Sequence, residues 1–187
     1  MPVTRERSNR SMAPLTRRHL ARLSAIATED REVFLGTHPK FRGRVIAVVL
    51  AQGAATHYVT GAKGVKDLDV WTFFSLPPSY QRFPADKRHR HVDFGLSVFG
   101  RQLYDFGSAR HEAERLRWER WHDQHEGRRV DLMMRGLKAK PGADPAEAVR
   151  GWLAGMAASP RALRKGAVVL IDPPDRRGEV VWRPERV

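Results

Sequence analysis

Cysteine is absent from the 187-residue chain. Its absence excludes disulfide frameworks, cysteine-ligated zinc sites, iron–sulfur clusters and thiol nucleophiles. Long apolar segments are missing too: the longest run is Val45–Ala51, far short of the roughly 18 consecutive apolar residues that span a bilayer. The basic residues near the N-terminus are not followed by the apolar stretch of a signal peptide. We therefore expect a soluble, cytoplasmic protein without membrane contact.

Acidic residues are scarce relative to basic ones. The chain has 21 Asp and Glu against 34 Lys and Arg, a formal net charge of +13. This surplus favours polyanionic partners such as nucleotides or nucleic acid, and says nothing about the fold. The Gly-Lys-Ser/Thr phosphate loop, the Gly-x-Ser-x-Gly elbow and the dinucleotide fingerprint are also missing, so the sequence gives no support to those three enzyme classes.

The chain divides into a short leader and one domain. Residues 1–14 contain Arg5, Arg7 and Arg10 without hydrophobic periodicity, which predicts a disordered basic leader. The leader either contacts a phosphate backbone or only keeps the chain soluble. Residues 15–187 suit a single domain that ends in a helix and strand extension, because globular domains commonly have about 100 to 200 residues.

The order of predicted helices and strands indicates an α/β or α+β fold. Thr16 and Asp144 suit helix N-caps, and Gly127 suits a C-cap. Apolar spacing and helix-forming residues predict helices at 15–27, 28–35, 108–126 and 145–157. Apolar or alternating runs predict strands at 45–51, 67–74, 92–99, 128–134, 167–171 and 180–182, with a polar connection at 83–91.

The most informative segment is Asp67-Leu68-Asp69 on a predicted strand. Side chains alternate along a strand, so Asp67 and Asp69 project from one face while Leu68 and Val70 project into the core. Two carboxylates about 7 Å apart on one strand repel each other unless a cation lies between them. Mg²⁺ suits this position, because hard cations bind carboxylate oxygens and keep waters for substrate phosphates. A third carboxylate would complete a two-metal clamp for phosphoryl or nucleotidyl transfer.

The third carboxylate has two candidates on later predicted strands. Asp131 lies between Val130 and Leu132, as a central strand requires, and is preferred for that reason. Asp93 is followed by Phe94-Gly95, where a turn can begin. The sequence leaves this choice open.

Residues 44–135 resemble the nucleotidyltransferase superfamily, which has the DNA polymerase β-like fold. The pattern of that family is a strand ending in Gly-Ser or Gly-Gly, an Asp-x-Asp flanked by apolar residues, and a third acidic residue on a later strand. Gly53-Ala54 matches the first element imperfectly, Asp67-Leu68-Asp69 matches the second, and Asp131 or Asp93 supplies the third. Residues 52–73 also resemble a family of uncharacterised bacterial proteins that share this Gln-Gly-Ala-Ala to Asp-Val-Trp-Thr-Phe stretch.

The resemblance implies a mixed sheet flanked by helices, with Mg²⁺ held by Asp67, Asp69 and Asp131. Asp131 or Asp93 would complete the site and help to orient an acceptor hydroxyl. The implied activity is NTP binding, followed by transfer of a nucleotidyl group to an acceptor. An RNA end, a protein hydroxyl and a small molecule all remain open as that acceptor.

The resemblance also implies a site for NTP phosphates at Gly53-Ala54. Ala54 stands where the family usually has serine, so backbone N–H groups alone are there to contact a phosphate. Lys63 and Lys66 are the nearest cations for a polyphosphate. Lys66 stands where a serine often precedes Asp-x-Asp, and it is placed to pair with Asp67 in a salt bridge without metal.

A second hypothesis needs no metal: the acidic pair is structural, and the protein is a non-catalytic module whose basic surface binds nucleic acid or a partner. Trp118 and Trp121 on the Arg-rich helix suit either base stacking or core packing. Residues 87–91 form the densest basic cluster and suit either a phosphate-bearing ligand or a solvated loop. His122 and His125 share a helix face, but lack a third ligand at zinc-site spacing.

Overall fold

Helices flank one sheet in this computed structural model, which describes residues 9–85, 89–102, 111–155 and 161–184. The helices of this part of the chain are α1 (Arg17–Thr37), α2 (Gln52–Thr60), α3 (Glu112–Gln124), α4 (Pro145–Ala154) and α5 (Arg161–Lys165). The strands are β1 (Val45–Ala51), β2 (Leu68–Ser75), β3 (His89–Asp93), β4 (Arg129–Leu137), β5 (Ala167–Asp172) and β6 (Val180–Trp182). None of these helices is long and apolar enough to cross a membrane.

The strands form one mixed sheet in the order β3-β4-β2-β1-β5-β6. β2 and β4 are parallel, and the other neighbouring pairs are antiparallel. With helices packed on the sheet, the fold is α+β, as the sequence predicts. The parallel pair β2 and β4 matters most for the site, because it sets the two predicted acidic strands side by side.

Alternation along the strands gives the sheet two different faces. One face carries Val48, Leu50 and Val70, which pack with Leu20 and other residues of α1 and α2. The opposite face, called the α4 face below, carries a second cluster that includes side chains of α4 and α5; its members include Val49, Trp71, Phe73, Val149, Leu153 and Leu163. The same alternation puts the acidic side chains of β2 and β4 on the α4 face, at the end where the strands begin.

The N-terminal helix α1 is continuous, whereas the sequence predicts two helical pieces at 15–27 and 28–35. Thr16 is the N-cap, and its backbone N–H donates to Nδ1 of His19 over 3.0 Å. Asp30, which the sequence analysis places in the first turn of the second piece, is buried inside the continuous helix. Its carboxylate accepts a hydrogen bond from Arg90 at 2.8 Å, so this charge is paired and the helix continues through it.

Strand β3 lies earlier than predicted, at His89–Asp93 instead of 92–99. The reason is Asp93, whose carboxylate accepts the backbone N–H groups of Gly95, Glu126 and Gly127, each at 2.9 Å. These bonds form a turn, and Gly95 adopts a φ of +75° there. Gly127 is therefore part of this turn and not the C-cap of α3, which is His125.

Residues 9–14 of the predicted leader contact the domain, and residues 1–8 lie outside the described residues. Ser11 and Val65 exchange backbone hydrogen bonds of 2.9 and 2.7 Å. The imidazole of buried His57 links two loops, because Nε2 bonds the carbonyl of Ala13 and Nδ1 accepts the N–H of Gly64, both at 3.0 Å. This arrangement holds the chain before α1 against the loop that leads to the acidic motif.

The other predicted elements agree with the observed ones except at their ends, whereas the sequence analysis predicts neither α2 nor α5. β2 starts at Leu68, so Asp67 lies one residue before the strand. Asp144 caps α4, with its carboxylate accepting the N–H of Glu147 at 2.9 Å. The first residues of the predicted helix 108–126 (108–110) and the last residues of the predicted helix 145–157 (156–157) lie outside the described residues. Strands β1 and β6 have the predicted bounds.

Candidate functional site

Three carboxylates meet where β2 and β4 begin on the α4 face. Asp69 pairs with Asp131 in the parallel register of β2 and β4, so both side chains project from the same face as neighbours. Asp67, one residue before β2, reaches the same place, because one guanidinium nitrogen of Arg129 contacts both Asp67 and Asp131. The structure thus brings together the three residues predicted to hold metal.

Arg129 is the cation among these carboxylates. Its Nη2 donates to Oδ2 of Asp67 at 3.1 Å and to Oδ2 of Asp131 at 3.0 Å, and its Nε lies 2.7 Å from Oδ1 of Asp131. The guanidinium also stacks 4.1 Å above the ring of Trp118 on α3. The partner of Asp67 is therefore Arg129, and no ion pair joins Lys66 to Asp67.

The arrangement gives the two neighbouring aspartates opposite protonation behaviour. Burial raises the pKa of Asp131, but the hydrogen bond from His91 and the charge of Arg129 outweigh it and lower that pKa below the ordinary value. Burial, reinforced by the charges of Asp67 and Asp131, raises the pKa of Asp69 to about 8. No hydrogen bond or ion pair joins Asp69 to another described side chain. The one guanidinium thus pairs with two of the three carboxylates, and the third, Asp69, favours its neutral form below about pH 8.

Asp93, the other candidate for the third carboxylate, has a different role. Its two oxygens are used by three backbone N–H groups in the turn after β3. Asp93 lies opposite Arg129 in the antiparallel register of β3 and β4. The charges that shift the pKa of Asp69 are those of Asp67, Asp131 and Arg129, and Asp93 is not among them. The structure therefore brings Asp131 to the acidic pair and leaves Asp93 as a structural acceptor.

The predicted phosphate-contacting residues lie at the start of α2. Ala51, the last residue of β1, pairs with Asp69, and α2 follows at once with Gln52 at a φ of +59°. Gly53 and Ala54 are consequently in the first helical turn and not in a loop. The side chain of Arg10 lies against Gly53, where a Cβ atom would be 3.4 Å from its Nη1. The start of this helix thus adjoins the acidic strand end and carries a cation.

The two predicted lysines are less closely engaged. Lys63 is exposed and Lys66 is half-buried, both in the connection between α2 and β2. No ion pair links either amine to a described carboxylate. Two of the cations nearest to the acidic residues and to α2, Arg129 and Arg10, are therefore ones that the sequence analysis did not assign to the site.

Two histidines of β3 extend the site on the side of β4. His91 lies opposite Asp131 in the antiparallel register, and its Nδ1 is 2.6 Å from Oδ1 of that carboxylate. His89, two residues earlier on the same face, has Nε2 4.0 Å from Oδ2 of Asp131. One ligand atom from each of the three residues can be chosen so that all lie within 4.8 Å of one another. Among the described residues, this is the one group of three or more His, Asp or Glu side chains whose ligand atoms lie this close, and the three aspartates Asp67, Asp69 and Asp131 do not meet the same distance.

Helix α3 covers this end of the site without forming a core. None of its residues is fully buried. The ring of Trp118 contacts His91 edge-on, with centroids 5.3 Å apart, while Trp121 stacks on His125 at 4.1 Å. A cavity of about 290 Å³ lies along this helix, lined by His91, Arg117, Trp118, Arg120, Trp121 and Gln124. Core packing therefore does not explain the tryptophan pair.

A larger cavity of about 630 Å³ lies at the other end of β4. Its lining includes Arg135, Lys138 and Trp152. Arg135 is on the same sheet face as Asp131 and four residues away, or about 13 Å at the usual rise of a strand. The cavity thus offers cationic and aromatic groups on the face that carries the carboxylates.

Comparisons of the chain with protein-family models, curated proteins and solved structures find no match.

Asp69→Asn should remove a pH-dependent loss of stability. The pKa of about 8 in the folded protein lies above the ordinary value of 3.8, so the proton on Asp69 favours the folded state. That contribution is complete below pH 3.8 and is lost progressively as the pH rises from 3.8 to about 8. In metal-free buffer, the variant should gain stability relative to the parent between about pH 4 and pH 8 and keep a constant advantage above that, as measured by urea denaturation.

The matched control is Asp123→Asn, whose side chain is 81% exposed. It should leave the pH profile of unfolding unchanged. Parallel profiles for the parent and Asp69→Asn would contradict the account of Asp69.

Proposed function

We propose that this protein binds an NTP with Mg²⁺ and transfers a nucleotidyl group to an acceptor hydroxyl. The observation that carries the proposal is the meeting of Asp67, Asp69 and Asp131 on one sheet face beside the start of α2. Carboxylates on adjacent strands suit Mg²⁺, and the first turn of a helix suits phosphate oxygens. Neither feature alone specifies this function, but their juxtaposition is what transfer from an NTP requires.

The chemistry of the donor set suits a hard divalent cation, whose binding would draw the ligand atoms of the three aspartates within the 4.8 Å that they exceed here. One guanidinium pairs with Asp67 and Asp131 but not with Asp69, and the raised pKa of Asp69 comes from burial and from the like charges around it. Bound Mg²⁺ would supply positive charge to the carboxylates and to the triphosphate. Arg129 must then release at least one of its carboxylates, and its stacking on Trp118 gives the guanidinium a second contact. Arg129 competes with the metal in this account.

The chain's own residues would divide the remaining tasks. Backbone N–H groups of Gly53 and Ala54, with the side chain of Arg10, are placed to bind phosphate oxygens. Asp131 would orient the acceptor hydroxyl, and a carboxylate of the cluster would accept its proton. The acceptor oxygen forms a bond to the α-phosphorus as the bond to the bridging oxygen breaks, so pyrophosphate leaves.

Calorimetric titration with ATP and the other NTPs in the presence of Mg²⁺ tests this proposal. The parent protein should bind at least one NTP, and binding should require Mg²⁺. Asp67→Asn combined with Asp69→Asn should weaken binding by at least about tenfold, because the metal loses two anionic ligands. Asp123→Asn serves as the control on an exposed carboxylate and should bind like the parent. Absence of NTP binding by the folded parent would overturn the proposal, as would equal affinity in the double variant.

A second candidate function is nucleic-acid binding without catalysis. The observation that favours it is Arg129, which already bridges two of the carboxylates and so satisfies them without metal. Helix α3 also presents Arg117 and Arg120 beside Trp118 and Trp121 around one cavity. Arginines next to aromatic rings suit a single-stranded backbone and its stacked bases.

The salt dependence of single-stranded RNA binding tests this second candidate. Each phosphate contact releases counterions, so affinity should fall steeply with salt. Arg117→Ala combined with Arg120→Ala should lower the slope of log K against log salt by up to about 1.4, at about 0.7 for each contact. Arg42→Ala is the control, since that arginine is exposed and pairs with Glu32 far from α3 in sequence. Absent or salt-independent binding would contradict this candidate.

A further inference from the structure

His89, His91 and Asp131 form a cluster with a donor set different from that of the three carboxylates. The antiparallel register of β3 on β4 places His91 opposite Asp131, and alternation puts His89 on the same face. The two imidazole rings lie 4.5 Å apart between centroids. We infer that these three residues bind a divalent transition metal of the Zn²⁺ type, at a site that adjoins the proposed Mg²⁺ site and shares Asp131 with it.

The spacing of the ligand atoms agrees with such a site. Bonds of 2.0–2.1 Å to a tetrahedral Zn²⁺ separate neighbouring ligand atoms by about 3.3 Å. The separations from Asp131 are 2.6 Å to His91 Nδ1 and 4.0 Å to His89 Nε2, one below and one above this value. All three ligand atoms lie within 4.8 Å of one another, so no separation has to change by more than about 1.5 Å to reach coordination distance. Side-chain rotations can supply such a change without movement of the strands.

The chemistry of the donors selects the class of metal. Imidazole nitrogen is a good ligand for Zn²⁺ and its neighbours in the first transition series, whereas Mg²⁺ prefers oxygen donors and keeps its waters. Three protein ligands leave at least one coordination position for water or a substrate oxygen. The side chains of His89 and His91 are 48% and 25% exposed, so an ion reaches them from solvent.

The surroundings support the ligands and also limit the affinity. The ring of Trp118 packs against His91 and restricts its orientation. Arg129 contacts both oxygens of Asp131, so a metal must compete with this guanidinium for one of them. Imidazole ligation offsets that competition, which is a further reason why Mg²⁺ does not replace Zn²⁺ here.

Titration of the metal-free full chain with Co²⁺, a spectroscopic substitute for Zn²⁺, tests the inference. Visible absorption should saturate at one equivalent, Zn²⁺ should abolish it, and excess Mg²⁺ should not. His89→Gln combined with His91→Gln should weaken Co²⁺ binding by at least about a hundredfold, since two of three ligands are lost. His38→Gln is the matched control: its ring packs on Phe34 at the end of α1, so affinity should stay at the parent value.

A measurement on the parent protein covers the case in which the double variant fails to fold. One equivalent of Zn²⁺ should shift the side-chain nitrogen NMR signals of His89 and His91 and leave those of His38 in place. Unchanged signals of His89 and His91, or equal Co²⁺ affinity in the folded double variant, would overturn the inference.

This inference does not rest on the proposed nucleotide chemistry, and the variants separate the two. Asp69→Asn should retain Co²⁺ binding, because Asp69 is outside the His89, His91 and Asp131 cluster. Absence of Mg²⁺-dependent NTP binding in a parent protein that binds Co²⁺ would count against the proposed function alone. Loss of Co²⁺ binding in Asp69→Asn would count against a separate histidine site.

Discussion

The repulsion among three carboxylates at one strand end is the constraint on which the rest of the site depends. Asp69 and Asp131 are neighbours on parallel strands, and Asp67 joins them through Arg129. At close range in a partly dehydrated setting, such charges need a cation or a proton. The molecule uses both, because Arg129 pairs with two of the carboxylates and the raised pKa of Asp69 favours its protonated form below about pH 8.

The fold concentrates this charge in one place while burying apolar groups around it. Alternation on β2 and β4 directs Leu68, Val70 and Val130 to the face packed by α1, and leaves the aspartates on the other face. The turn at Asp93 ends β3 and fixes the stretch of chain before β4. These features supply a rigid strand end, which any metal or phosphate chemistry here requires.

Much of this arrangement follows from the sequence. The alternation of Asp67-Leu68-Asp69 and the apolar flanks of Asp131 are local signals, and they predict which side chains leave the core. The start of α2 directly after β1 is a deviation, because the sequence analysis predicts no helix at Gly53-Ala54 and these residues lie in the first helical turn. Local pattern thus predicts five of the six strands near their observed bounds, and it favours Asp131 as the third carboxylate while leaving Asp93 open.

The residues that sequence reasoning missed depend on pairing between distant segments. The sequence analysis places His89 and His91 in a polar, basic connection. Their position on a strand depends on the register of β3 on β4, which is set by contacts between residues some forty positions apart along the chain. The continuity of α1 depends in the same way on Arg90, which pairs with buried Asp30. A signal for Arg129 was present: it lies two residues before Asp131 on a strand, and therefore on the same face.

Arg129 also explains how one site can suit two functions. With the guanidinium in place, Asp67 and Asp131 have a cationic partner and need no metal. This state suits a protein that binds its partner only through its basic surface. With the guanidinium displaced, the same carboxylates would be free to serve as ligands for the divalent ion that we propose. The two states differ in which cation balances the aspartates, and the balance is open to experiment because Arg129 can be replaced without removing any carboxylate.

The most direct test is the melting temperature of Arg129→Gln as a function of Mg²⁺ concentration, compared with that of the parent. Removal of one partner from a largely buried ion pair costs about 3–5 kcal/mol, so the variant should be less stable without metal. A metal that binds only the folded state should then restore stability as its concentration rises. The account predicts that Mg²⁺ raises the melting temperature of the variant more than that of the parent. A melting temperature of Arg129→Gln that does not respond to Mg²⁺ would contradict it.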